Sequence, residues 1–203
     1  DGNFVAVGTP KATNPEGASN AGKASVFHLY GTEWLPLPGP GKDVHGISAN
    51  DIDGTSIALS QDGAILVVGG KGGDNEDGVS NVGHCRIYEF GTDWELLHSM
   101  EGQTENERLG SSVAVSGDSN VVACGGETAM YDGVGTGVVR VWNRKTSEAS
   151  AVWPRNSEGG DLFGSTLSLK EDGKMLAVGA PERDSMTAGN KAGAVDIYED
   201  FMN

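Results

Sequence analysis

Ile65-Leu66-Val67-Val68-Gly69 is a short apolar run closed by glycine, and it recurs through the chain. Phe4-Val5-Ala6-Val7-Gly8, Val121-Val122-Ala123-Cys124-Gly125 and Met175-Leu176-Ala177-Val178-Gly179 repeat it. The closing glycines stand at 8, 69, 125 and 179, in steps of 61, 56 and 54 residues. Short runs rich in β-branched residues and bounded by Gly, Asp, Asn or Ser read as buried strands. A second motif follows each run. Gly22-Lys23-Ala24-Ser25-Val26-Phe27 matches Gly83-His84-Cys85-Arg86-Ile87-Tyr88, Gly137-Val138-Val139-Arg140-Val141-Trp142 and Gly193-Ala194-Val195-Asp196-Ile197-Tyr198. A third motif precedes three of the runs: Gly54-Thr55-Ser56-Ile57-Ala58-Leu59, Gly110-Ser111-Ser112-Val113-Ala114-Val115 and Gly164-Ser165-Thr166-Leu167-Ser168-Leu169. A fourth motif is aromatic. Gly31-Thr32-Glu33-Trp34 answers Gly91-Thr92-Asp93-Trp94, and Trp153 falls at about the same place in the next unit.

Shared periodicity of roughly 55–60 residues is the mark of a repeat architecture. Asp62-Gly63 and Asp172-Gly173 separate the third motif from the first, with Asp118-Ser119-Asn120 in the middle copy. Such pairs supply the positive φ of a tight hairpin. Asp1-Gly2-Asn3 holds the equivalent place before the first run. No stretch has ten residues of helical periodicity with caps. Each full unit therefore reads as four antiparallel strands, with two apolar faces that only a neighbouring sheet can bury. That is the logic of a β-propeller blade. The expected fold is all-β, a propeller of four-stranded blades. Its units run over about 1–45 (incomplete), 46–105, 106–158 and 159–203 (incomplete), about three and a half blades of one domain.

The composition fits this reading. Glycine is 32 of 203 residues, about 16% against an ordinary 7% or so. Strand-end glycines let crowded backbones approach. Lys and Arg number 14 against 29 Asp and Glu, a net charge of −15. That charge repels phosphate backbones and anionic membranes, which argues against nucleic acid as a partner. The longest apolar runs fall far short of a membrane span. Asp1 opens the sequence without Met or a signal-peptide pattern, so a processed chain or part of a longer one is expected.

These motifs resemble the FG-GAP repeat family, whose repeats form the propeller of integrin α subunits, and most closely its bacterial and algal secreted type. Phe163-Gly164 and Gly179-Ala180-Pro181 carry the name-giving residues; Leu109-Gly110 and Gly8-Thr9-Pro10 are weaker copies. The resemblance runs from Phe4 to Tyr198 and implies the propeller fold. The family often holds calcium in Asp-x-Asp-x-Asp-Gly hairpin turns. Here those turns read Ser60-Gln61-Asp62-Gly63, Ser116-Gly117-Asp118-Ser119 and Lys170-Glu171-Asp172-Gly173, without alternating carboxylates, so that ligand set does not carry over. The second unit also replaces the Phe of Phe-Gly by Asp53.

The densest acidic loop is Asp74-Asn75-Glu76-Asp77-Gly78. Asp74, Asn75 and Asp77 offer oxygens to calcium; a solvated loop is the ordinary alternative. Asp132 and Asp184 occupy corresponding loops, so Asp74, Glu76, Asp77, Asp132 and Asp184 form a candidate binding face. Asp51 and Asp53 make a thinner case of the same kind. The recurring Trp34, Trp94 and Trp153, like Phe27, Tyr88, Trp142 and Tyr198, read as blade packing. The histidines 28, 45, 84 and 98 show no ligand spacing and are expected to bind no metal. Cys85 and Cys124 fall at small apolar positions and read as buried free thiols, with a disulfide as the alternative in an oxidising compartment.

No Gly-x-Ser-x-Gly elbow occurs, and no ionisable set is seen to converge near strand starts. The expectation is a non-enzymatic binding or adhesion module of a secreted or cell-surface protein, or of an organelle lumen, meeting a protein or glycan through loops of one face. A structural subunit of a larger assembly is the alternative, with a propeller hydrolase third. Self-association or further blades would close the ring, and calcium is the one cofactor suggested.

Overall fold

The computed structural model describes residues 2–39, 42–155, 159–184 and 189–202. Asp1, of the first expected turn, lies outside them. The described residues form antiparallel sheets and no helix. Sheet 1 holds β1 (Phe4–Gly8), β2 (Lys23–Tyr30) and β3 (Glu33–Leu37), with the short β4 (Val44–His45) also paired to β2. Sheet 2 runs β5 (Asp53–Leu59), β6 (Ile65–Gly70), β7 (His84–Phe90), β8 (Trp94–Glu101). Sheet 3 has β9 (Leu109–Val115), β10 (Val121–Gly126), β13 (Val138–Asn143) and β14 (Glu148–Val152). A two-strand hairpin, β11 (Met130–Tyr131) and β12 (Val134–Gly135), lies between β10 and β13. Sheet 4 has β15 (Thr166–Leu169), β16 (Met175–Ala180) and β17 (Ala194–Glu199).

Each motif found in the sequence is one strand, and successive sheets pack face to face in a propeller-like stack. Three apolar clusters fill the gaps. Ala24 and Val26 meet Leu66, Val68 and Tyr88 between sheets 1 and 2. Ile65, Val67, Cys85 and Ile87 meet Val122, Cys124 and Trp142 between sheets 2 and 3. Val121, Ala123, Val139 and Val141 meet Leu176, Val178 and Tyr198 between sheets 3 and 4. Each fully buried aliphatic side chain contributes roughly 1.5–3 kcal/mol to this stacking. The closing glycines permit it: a Cβ on Gly69 or Gly125 would collide with the carbonyl of Gly110 or Gly164 in the next sheet. Bridges Gly22–Asp53, Gly83–Leu109 and Gly137–Phe163 stitch each third strand to the next sheet's first.

The expected hairpin turns are present. Gly63, Ser119 and Gly173 have φ of 73°, 63° and 68°. Asp62 accepts the Ser60 hydroxyl (2.5 Å) and the Ala64 amide (3.1 Å), and Asp118 does the same for Ser116 and Asn120. These aspartates shape turns.

Two expectations are corrected. Cys85 and Cys124 are not free thiols: they form a disulfide from β7 to β10, with Cα atoms 6.4 Å apart. The two positions belong to different motifs, and only the face-to-face register of sheets 2 and 3 brings them together. Trp153 is not the third copy of a once-per-unit tryptophan. Trp34 and Trp94 sit at the start of the outer strands β3 and β8, whereas Trp153 follows the end of β14.

Candidate functional site

Each of sheets 2, 3 and 4 is entered by a buried carboxylate: Asp51, Glu107 and Asp161. The next residue turns left-handed in all three, Ile52 at φ 59°, Arg108 at 56° and Leu162 at 54°. A β-branched residue such as Ile rarely adopts this conformation, so the tertiary structure imposes it. Asp51 Oδ2 accepts the amides of Ile47 (3.1 Å) and Ser48 (2.9 Å). Glu107 Oε2 accepts those of Gln103 (2.8 Å) and Thr104 (3.1 Å). Each carboxylate also meets an arginine. Arg86 on β7 reaches Asp51 (3.3 Å), Arg140 on β13 reaches Glu107 (2.8 Å), and Arg183 after β16 reaches Asp161 (3.0 Å). A buried charge is tolerated when it is paired and hydrogen-bonded, and the repeat supplies both.

Sheet 2 adds to this arrangement. Asp53 stands where sheets 3 and 4 have Leu109 and Phe163, and His84 stands where they have Val138 and Ala194. Asp53 Oδ1 lies 2.6 Å from His84 Nε2, and its Oδ2 accepts Arg86 Nη1 at 2.7 Å. The Asp53 side chain is fully buried, and the His84 side chain is 7% exposed. Asp51, Asp53 and His84 each offer a ligand atom, all within 4.8 Å of one another. Burial alone would lower the Arg86 pKa, but Asp53 and Asp51 outweigh it and hold the guanidinium charged. Burial, aided by the same carboxylates, pushes Tyr88 up to about 12.

Two carboxylates face one guanidinium and one imidazole in this buried group. A divalent ion on Asp51, Asp53 and His84 would take the place of the Asp53–His84 hydrogen bond while the second oxygens of both aspartates stay on Arg86. The donor set of two carboxylates and an imidazole suits Zn, Mn or Fe better than calcium, which takes 6–8 oxygens. The group is closed, however. A Cβ on Gly70 or Gly73 would run into the His84 ring, so the glycine backbone packs directly on the imidazole.

The expected loop residues lie apart from this group. Asp74, Glu76 and Asp77 are exposed on the β6–β7 loop. Asp74 Oδ1 accepts the Asn81 amide (2.8 Å), and Asn75 Oδ1 accepts that of Val79 (2.8 Å). Asp132 is exposed in the β11–β12 turn, with φ 50°. Asp184 is exposed, and its Oδ1 accepts the Lys191 amide (2.7 Å). All lie at the sheet end that also carries Asp51, Asp53 and His84. At that end Tyr131, Asp132, Val134, Thr136, Trp153 and Arg155 line an open cavity of about 350 Å³. The Tyr131 and Trp153 rings meet there at 4.9 Å, inclined by 46°.

Ionisable groups therefore do converge at strand starts, contrary to that expectation, and His84 is among them. The signal is Asp53, an acid replacing the Phe of a repeat glycine turn, together with His84 in β7, where sheets 3 and 4 have Val138 and Ala194.

No protein-family model and no curated protein matches the chain. Among solved structures it is similar to a periplasmic gluconolactonase from Pseudomonas aeruginosa, with a TM-score of 0.54 and 13% identity, over 97% of this chain and 49% of that one. It is also similar to the tricorn protease, with a TM-score of 0.49 and 10% identity, over 90% of this chain and 17% of that one. The chain thus spans about half the length of the gluconolactonase. The first likeness carries the propeller-like fold alone. The expectation of a non-enzymatic adhesion module is corrected: a solved protein of similar fold is by its title a lactonase, and no finding supports adhesion.

Proposed function

We propose that the chain is a divalent-cation-binding part of a β-propeller of the FG-GAP repeat type, its four sheets being blades and the ion seated in the second. The observation that carries this reading is the convergence of Asp51, Asp53 and His84 in one buried group. Asp51 and Asp53 would each give one carboxylate oxygen and His84 its Nε2. Arg86 would orient both carboxylates from behind, as partners of ligands do. Because the group is closed, the ion would tie the entry of β5 to β7. A ligand bound only by the folded state raises the melting temperature. Titrating chelated protein with Zn²⁺, Mn²⁺ and Ca²⁺ should raise it for a transition ion, with Ca²⁺ weaker, and His84→Ala should abolish the rise. An unchanged midpoint with every ion would leave a metal-free ion-pair network.

A lactone-type hydrolase is the second reading. The gluconolactonase likeness and the open cavity at Tyr131 and Trp153 favour it. Release of acid from glucono-δ-lactone, lost in Asp132→Ala, would support it; no turnover with metal loaded would remove it and leave the ion site standing. The Cys85–Cys124 disulfide supports an oxidising compartment, secreted or periplasmic.

A further inference from the structure

Sheet 3 carries a loop unlike its counterparts in sheets 1 and 2. The β1–β2 and β6–β7 loops, 9–22 and 71–83, expose no aromatic, methionine or branched aliphatic side chain. The β10–β13 loop folds into the β11–β12 hairpin and exposes Met130, Tyr131 and Val134. Its turn residues Asp132 and Gly133 have φ of 50° and 79°, the paired left-handed conformation of a tight two-residue hairpin. Apolar side chains displayed on such a turn add nothing to the cores between the sheets.

Trp153 completes the feature. It follows β14, and Tyr198 on β17 donates its hydroxyl to the Trp153 carbonyl at 3.1 Å, which fixes it from sheet 4. Sheet 3 is packed on both faces, by sheets 2 and 4, so the cavity belongs to an inner sheet. The touching, inclined rings of Tyr131 and Trp153 make one bent aromatic wall and leave no slot for a flat ring between them. Among the described residues, three polar groups of this cavity have no hydrogen-bond or ion-pair partner. They are the Asp132 carboxylate, the Trp153 indole N–H and the Arg155 guanidinium, which lies over the Tyr198 ring at 4.8 Å. The Trp94 indole, by contrast, donates to the Leu37 carbonyl at 3.4 Å. An aromatic wall with a few convergent polar groups is the ordinary make-up of a small-ligand site.

We propose that this cavity binds a neutral saccharide, about one or two pyranose rings in size, as its volume admits. The C–H face of a pyranose lies on the Tyr131–Trp153 wall. Its hydroxyls donate to Asp132 and accept from Arg155 and Trp153 Nε1, and the two bonds to charged groups are the stronger ones. The net charge of −15 and Asp132 at the wall select against an anionic ligand. The site shares its cavity with the hydrolase reading but rests on binding alone and needs no turnover.

The intact chain is tested on immobilised neutral hexose and N-acetylhexosamine oligosaccharides, with uronic acid and sialic acid oligosaccharides as the acidic set. Neutral members should be retained, and calorimetric titration of the best of them gives the parent Kd. Tyr131→Ala removes an exposed side chain, so it should keep the parent's melting temperature and weaken binding roughly tenfold or more, the usual cost of truncating an aromatic anchor. Trp153→Ala should do the same to binding, and Trp34→Ala on β3 should leave it unchanged. Retention of no saccharide, or of the acidic set alone, would overturn the proposal. So would a Kd that Tyr131→Ala leaves unchanged. Saccharide binding without acid release from glucono-δ-lactone would support the proposal and remove the hydrolase reading; acid release without saccharide binding would do the reverse.

Discussion

Sheets 2 and 3 are the same object built twice, and they differ in what they bury. Both are four-stranded, both are entered by a carboxylate that accepts two loop amides, and both set an arginine of the third strand against it. In sheet 3 the pair stands alone, Glu107 with Arg140, beside Leu109 and Val138. In sheet 2 the two apolar neighbours are Asp53 and His84. The shared pair belongs to the repeat and explains how each sheet is entered. The two extra polar residues belong to sheet 2 alone, and the repeat has no use for them. Chemistry is therefore sought in sheet 2, with sheet 3 as its internal control.

The strongest way to break the comparison is to remove the arginines. Arg86→Met strands two buried carboxylates and Arg140→Met strands one. Breaking a buried pair costs roughly 3–5 kcal/mol. Urea denaturation should place Arg86→Met at the upper end of that range and Arg140→Met clearly below it. Equal losses would mean that Asp53 is compensated by something other than Arg86.

The disulfide joins the two sheets, so its loss tests whether they fail together. Cross-linking a loop of this size, with partners 39 residues apart, is worth about 4 kcal/mol in the chain-entropy model. Reduction should lower the midpoint for the whole chain in one transition. Two separated transitions would show that sheets 2 and 3 are independent folding units.

The double variant Asp53→Leu with His84→Val gives sheet 2 the residues of sheet 3. Replacing buried charge by apolar volume is often neutral or stabilising, and the Asp51–Arg86 pair remains. In metal-free buffer its stability should stay within about 2 kcal/mol of the parent. Its melting temperature should no longer respond to Zn²⁺ or Mn²⁺. A surviving response would move the ion elsewhere.

Much of the fold was legible because it is local and repeated. The Asp-Gly turns, the strand-end glycines and the alternating apolar runs each act within a few residues, and recurrence made them unmistakable. The disulfide and the buried group were not legible, because they depend on register between elements. Cys85 and Cys124 meet only because β7 faces β10 across sheets. Asp53 and His84 meet only because β5 and β7 both flank β6 and begin at the same end. The acidic loop Asp74–Asp77 drew attention by its density, yet dense acid on a loop costs nothing to solvate. A single acid at an apolar repeat position, Asp53, is the stronger signal, although with Asp51 it makes the thinner cluster in the sequence.

The hairpin turns sharpen the comparison at its smallest scale. Burial raises the pKa of Asp62, but the Ser60 hydroxyl, the Ala64 amide and the Ser119 hydroxyl outweigh it, and the carboxyl ends below its ordinary value. Asp118 behaves alike: burial raises it, and the Ser116 hydroxyl and Asn120 outweigh that. A carboxylate lowered in the folded state stabilises it above the unfolded pKa of about 3.9 and loses that contribution as pH falls through the folded value. The melting temperature should therefore decline below about pH 4. Asp62→Asn and Asp118→Asn should each make that decline shallower. Asp62 also accepts the Ser119 hydroxyl of the next sheet at 3.3 Å, so its substitution should flatten the acid limb more. The reverse order would show that the turns act within their own sheets and that the contact between sheets 2 and 3 at this end adds nothing.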